Sequence, residues 1–177
     1  MSNSHQKAQL DSIELILDGL LASKENLVAE SQTLVHQYWH WFNNENTNIS
    51  ELRKVGMTEL DVSDIAPVIE KKPSREIVAY YIIWKKHPSR FRKNMKKSHS
   101  KRKGASIPMH SYSSTTISDV LNNKCTWDKS RALDYEKKFE ASRVAIKATH
   151  EAEIRIRAAK RKLINLITVT QTGEHND

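Results

Sequence analysis

The sequence predicts an α+β chain in which two long helices flank a small antiparallel sheet carrying a basic β-ribbon. Three observations predict it. Apolar residues recur with a helical period towards both ends of the chain. The segment "REIVAYYIIWKK", about residues 75–86, is β-branched and aromatic with nothing that breaks a strand. Gly and Pro number only four each in 177 residues, which favours long helices over a turn-rich β fold. That length suits one domain, residues 1–177. Apolar residues make up 38%, below the usual figure of about 45–50%, so the core is expected to be thin.

The first helix is expected over residues 5–45. Leu10, Ile13, Leu17, Leu20, Leu27, Leu34 and Trp41 recur at spacings of three, four or seven, and Ile16, Leu21, Val28, Val35, Tyr38 and Phe42 widen the stripe. Lys24 and Ser31 break its seam, which argues against a regular coiled coil. In "YWHWF", Tyr38, Trp41 and Phe42 fall on the stripe and read as core, whereas Trp39 points elsewhere and reads as a surface residue. The Asn-rich "NNENTNIS" is expected to stop the helix.

Residues 50–114 are expected to hold the sheet. "DIAPVIEKKPSR", with two prolines, reads as a connection or a short edge strand. "REIVAYYIIWKK" is apolar on both faces and reads as a central strand covered on both sides. "RFRKNMKK" is expected to return as a second strand and "ASIPMHSYS" as a third, at an edge because Pro108 cannot donate to the ladder. Thr115 or Ser118 is placed to N-cap a short helix through "ISDVLNNK". A second long helix is expected over residues 126–168. Tyr135, Phe139, Ile146, Ile156, Leu163 and Ile167 trace one face of it, and the remainder is densely charged, with opposite-sign neighbours such as Glu136 and Glu140 against Lys137, Lys138 and Arg143. The tail, 169–177, is expected to fray. Helices of forty residues span roughly 60 Å, more than such a sheet can cover, so a homodimer is expected to take up the excess apolar stripe.

Charge is the informative feature. The net charge is +8, and the nineteen residues from Lys85 to Lys103 alone supply ten cations: Lys85, Lys86, Arg90, Arg92, Lys93, Lys96, Lys97, Lys101, Arg102 and Lys103. The rest of the chain sums to about −2, and no Asp or Glu lies between Glu76 and Asp119. A merely solvated face mixes signs. A run without carboxylates fits a polyanion, with successive cations against successive phosphates. Trp84, Phe91 and Tyr112 lie in or beside the run and suit base stacking. Arg90 and Arg92 are the candidates for reading guanine from a two-stranded ribbon in the major groove. A second cluster, Arg155, Arg157, Lys160, Arg161 and Lys162, is weaker, because cations near a helix C-terminus are favoured by the macrodipole alone.

Enzymatic chemistry is not legible. There is no Walker lysine loop, no GxGxxG and no GxSxG, and paired carboxylates are missing beside the basic run. His36 and His40 are spaced i, i+4 but lack the HExxH arrangement and a third ligand, so no metal, cofactor or catalytic residue is expected. The single cysteine, Cys125, excludes an internal disulfide and suits a reducing cytoplasm. The N-terminus carries Asp11, Glu14 and Asp18 among its apolar residues and does not read as a signal peptide, and no apolar run is long enough for a membrane span.

The order "LVHQYWHWF", a strand ending "IIWKK", basic residues, "IPMHSYS" and a helix with "EAEIRIRAAKRKL" resembles the MobI-type auxiliary transfer proteins of integrative conjugative elements and large conjugative plasmids, over roughly residues 30–168. The resemblance implies a cytoplasmic, non-enzymatic accessory factor that acts at an origin of transfer alongside the relaxase. It places DNA contact at the cations following Trp84, and at Tyr112. Two alternatives use the same residues: an RNA-binding protein, and a helical scaffold whose basic run meets an acidic protein.

Overall fold

The computed structural model describes residues 2–63, 65–74, 76–86 and 114–173. The order of elements is α1 (Ser2–Lys54), β1 (Ile65–Ser74), β2 (Ile77–Lys86), α2 (Ser114–Lys124) and α3 (Lys129–Gly173). β1 and β2 form a two-stranded antiparallel sheet, which makes the fold α+β with two long helices. The expected strands "RFRKNMKK" and "ASIPMHSYS" lie outside the described residues. "DIAPVIEKKPSR" forms a strand of ten residues rather than a short one, and in the two-stranded sheet of the described residues β1 and β2 are both edges, so the central position expected for β2 is not seen there. β1 contains both Pro67 and Pro73, and an edge position tolerates residues that cannot donate. At the C-terminal half of β2, the consecutive residues Ile82, Ile83 and Trp84 are all buried, so both faces of the strand are covered there.

α1 does not stop at the Asn-rich stretch. It continues to Lys54 because Asn46 is not free to make a local turn. Its buried amide receives the backbone N–H of Ser63 on Oδ1 (2.8 Å) and donates through Nδ2 to the Ser63 carbonyl (3.1 Å). Asn46 therefore spends its hydrogen-bonding capacity on the connection that follows the helix. The helix ends instead at Gly56, whose φ of 72° is a left-handed conformation. Gly56 N–H donates to the Arg53 carbonyl and Met57 N–H to the Leu52 carbonyl, the paired bonds of a Schellman motif.

α2 begins at Ser114, so Ser118 lies within it and caps nothing, and Ile117 and Leu121 supply its buried face. α3 begins at Lys129, after Asp128, and runs on to Gly173. Residues 169–173 are therefore helical. No Gly or Pro interrupts the chain between Lys129 and Gly173.

The chain divides into two compact units, and both long helices and the hairpin contribute to each. One unit is Met1–Ala29, Pro73–Ala79 and Val144–Asp177. Here the apolar stripes of α1 and α3 meet each other in antiparallel fashion. Lys160 Nζ lies 2.7 Å from Glu14 Oε1, and Lys24 Nζ lies 2.6 Å from Glu153 Oε2. Lys24, the seam break, is buried and matched by the equally buried Glu153. Arg157 donates from Nε to Glu153 Oε1 (3.0 Å), and its Nη1 lies 3.5 Å from Glu76 at the hairpin tip. Burial opposes ionisation of Glu153, but the hydrogen bonds and charges of Lys24 and Arg157 outweigh it and hold its carboxyl below the usual range.

The second unit is Glu30–Lys72 and Tyr80–Arg143. Its core is aromatic. The fully buried Tyr38 stands edge-on to Trp84 (5.2 Å between centroids) and Tyr135 (5.2 Å) and stacks on Phe42 (5.7 Å), and Trp84 meets Phe139 at 6.0 Å. Such pairs contribute about 0.5–1.5 kcal/mol each beyond their burial. Trp41 is half-buried against Trp127 (5.4 Å), with the Arg131 guanidinium 4.9 Å from its ring centre. Trp39 is a correction. It is half-buried and donates its indole N–H to the Pro67 carbonyl (2.8 Å), which anchors β1 on α1.

Candidate nucleic-acid interface

Residues 87–113 leave from the end of β2 and return at the start of α2, so both anchors of the basic segment belong to the second unit. Ten of the thirteen candidate contact residues lie outside the described residues: Arg90, Phe91, Arg92, Lys93, Lys96, Lys97, Lys101, Arg102, Lys103 and Tyr112. The other three, Trp84, Lys85 and Lys86, are placed at the segment's root.

Trp84 offers no face to a base. It is 2% exposed, its ring is enclosed by Tyr38 and Phe139, and its N–H donates to Glu136 Oε2 (2.7 Å). This corrects the stacking expectation: β2 is covered on both faces at Ile82, Ile83 and Trp84, so the aromatic beside the cations in sequence lies in the core. Lys85 is half-buried and reaches across the hairpin to Glu70 (3.0 Å), so the first cation of the run has a carboxylate after all. Lys86 is exposed at the last position of β2. On β1, Lys71 and Lys72 are also exposed, and the Lys72 ammonium sits 4.9 Å from the centre of the Tyr81 ring.

The root is rigidified by a buried charge network that sequence reasoning missed. Glu136, 1% exposed, receives Arg143 Nη1 on Oε1 (2.6 Å) and Nη2 on Oε2 (2.7 Å), in addition to the Trp84 indole. Arg143 Nε donates to the Ile82 carbonyl (2.9 Å). One carboxylate and one guanidinium thus tie α3 to β2 three residues before the basic segment departs. Glu136, expected among the charged neighbours outside the apolar face of α3, is buried with that face. The available signal was its position next to Tyr135 on the inward stripe of α3.

A second buried polar group lies beneath α1. Asp128, fully buried before α3, accepts from Ser63 Oγ (2.8 Å), from Tyr38 Oη (3.4 Å) and from the Thr126 N–H (3.0 Å). Burial, reinforced by the Asp128 charge, pushes the Tyr38 phenol far above its ordinary pKa, so Tyr38 remains a neutral donor. With Tyr38, Ser63 and Asp128 all buried, this cluster clamps the connection after α1 and presents nothing to a substrate. Among the described residues no three His, Cys, Asp or Glu side chains converge as metal ligands would. His36 Nε2 lies 2.8 Å from Gln32 Nε2, and both His36 and His40 are exposed. No helix among the described residues is long and apolar enough to cross a membrane.

Compared with protein-family models, with curated proteins and with solved structures, the chain matches none.

Proposed function

We propose that this protein is a non-enzymatic DNA-binding factor that holds duplex DNA through the basic segment between β2 and α2. The observation that carries the reading is the density of that segment, ten cations in nineteen residues with no carboxylate among them. The root geometry supports a division of labour. Trp84 and Lys85 anchor the segment, through Glu136 and Glu70, and the cations from Lys86 to Lys103 are those offered to phosphate. The resemblance to MobI-type transfer proteins gives the reading its finer form: a cytoplasmic accessory factor at an origin of transfer that assists a relaxase. A homodimer belongs to the same proposal. It rests on the exposed Leu15, Leu166 and Val169 of the helical pair and predicts a sedimentation coefficient of two chains rather than one.

Fluorescence anisotropy tests the reading on a labelled origin fragment, with a scrambled duplex, single-stranded DNA and RNA of equal length as competitors. Duplex DNA is expected to win, and changing Arg90, Arg92, Lys96 and Lys97 together to Ala is expected to abolish most of the binding. Preference for RNA would move the protein to the RNA-binding class. Undiminished binding by the variant would show that the segment is not the contact surface.

A further inference from the structure

α3 carries five cations between Arg155 and Lys162, and the structure sorts them into two groups. Arg157 and Lys160 are half-buried in the first unit and paired, Arg157 with Glu153 and Glu76, Lys160 with Glu14. Arg155, Arg161 and Lys162 are exposed and have no carboxylate partner among the described residues. From Ile154 to Gly173 the helix contains no acidic residue at all.

The macrodipole does not account for this second group. Its effect fades within the last turn of a helix. α3 continues to Gly173, and its last turn holds no basic residue. Three cations without a carboxylate partner among the described residues therefore sit well inside a helix, beyond the reach of its terminal dipole. Arg155 and Lys162 are seven residues apart and share a face, with about 10 Å between them along the axis at 1.5 Å per residue. Only the small Ala158 and Ala159 stand between them near that face, so nothing bulky keeps a ligand off the helix.

We infer that the outward face of α3, comprising Arg155, Arg161 and Lys162, is a second contact surface for the phosphate backbone of duplex DNA. The inference rests on the DNA-binding reading above and adds to it a site on a different unit. The spacing of about 10 Å is close to the major-groove width of about 12 Å. A single strand is a poorer occupant, because binding to single strands uses aromatic platforms beside the cations, and α3 has no aromatic residue after Phe139. The contact reads no sequence. It fixes position and adds counterion release.

The test uses the full chain with R155A, R161A and K162A combined, titrated on cognate and scrambled duplexes across about 50–200 mM salt. Each lost phosphate contact flattens the log–log salt slope by about 0.9, so a flattening of about 2–3 is expected, equally on both duplexes. Helical content and thermal midpoint should match the wild type, since the three side chains are exposed and have no ion-pair partner among the described residues. R155K/R161K should restore most of the slope. If the wild type binds and the triple variant keeps its full slope and affinity, α3 is not a contact surface, while the reading of the basic segment stands. If the wild type binds no duplex at low salt, that reading fails and this inference falls with it.

Discussion

Replacing Glu136 by Gln tests whether the buried network holds the root of the basic segment. The amide keeps the shape of the side chain and can still accept from one donor. It removes the negative charge that faces both Nη atoms of Arg143, which is itself 12% exposed. Breaking a buried ion pair by removing one partner costs about 3–5 kcal/mol. For a chain of this size each kcal/mol lowers the thermal midpoint by about 2–4 °C, so a drop of roughly 6–20 °C is expected. Circular dichroism at the helical minimum provides the assay. The double variant Glu136→Leu with Arg143→Met removes both charges, and it should recover part of the loss, leaving the Trp84 N–H and the Ile82 carbonyl without these partners, at about 1–3 kcal/mol each. A Glu136→Gln midpoint within about 3 °C of wild type, a loss near 1 kcal/mol, would refute the reasoning, because the carboxylate would then not be compensating a buried guanidinium.

Three further outcomes follow from single residues. Gly56→Ala introduces a Cβ that meets nothing within 4 Å, so only the left-handed backbone resists it, and a loss of about 1–2 kcal/mol is expected in urea unfolding; Gly56→Asn should lose less. Asn46→Ala leaves both backbone groups of the buried Ser63 without their partner, and should cost about 2–6 kcal/mol at about 1–3 kcal/mol for each group, with faster proteolysis of the connection after α1. Glu153 has its carboxyl held below the ordinary value, so its contribution is present above the unfolded carboxylate pKa and is lost as pH falls through the lower folded value. Stability of the wild type should therefore decline on acidification below about pH 4.5, and Glu153→Gln should start lower at neutral pH and decline less.

The helices were legible because burying one face of a helix forces a 3.6-residue recurrence, and Leu10, Leu17, Leu20 and Leu27 obey it on α1 as Tyr135, Phe139 and Ile146 do on α3. The strand "IVAYYIIWKK" was legible from its β-branched and aromatic content. What escaped were residues whose role depends on a distant partner. Asn46 has the composition of a turn but serves as a clamp for Ser63, and that choice is made in three dimensions. Lys24 looked like a fault in the stripe until Glu153 arrived opposite it from α3. Glu136 sits among charged neighbours in the sequence, although it is buried beside Tyr135. Trp84 was read with the cations that follow it, whereas the buried run Ile82–Trp84 assigns it to the core. The segment 87–113 was legible chiefly as charge, which specifies a kind of partner and no geometry.

The central claim is that this chain holds duplex DNA by its cations. Its most direct test is a titration of nucleic-acid-free protein on a labelled duplex at salt concentrations from about 50 to 200 mM. The account predicts tight binding at the lower end and a fall of about 10³–10⁵ in affinity across that range, the signature of about 6–10 phosphate contacts. Absence of binding at about 50 mM salt, or binding that ignores salt, would contradict it.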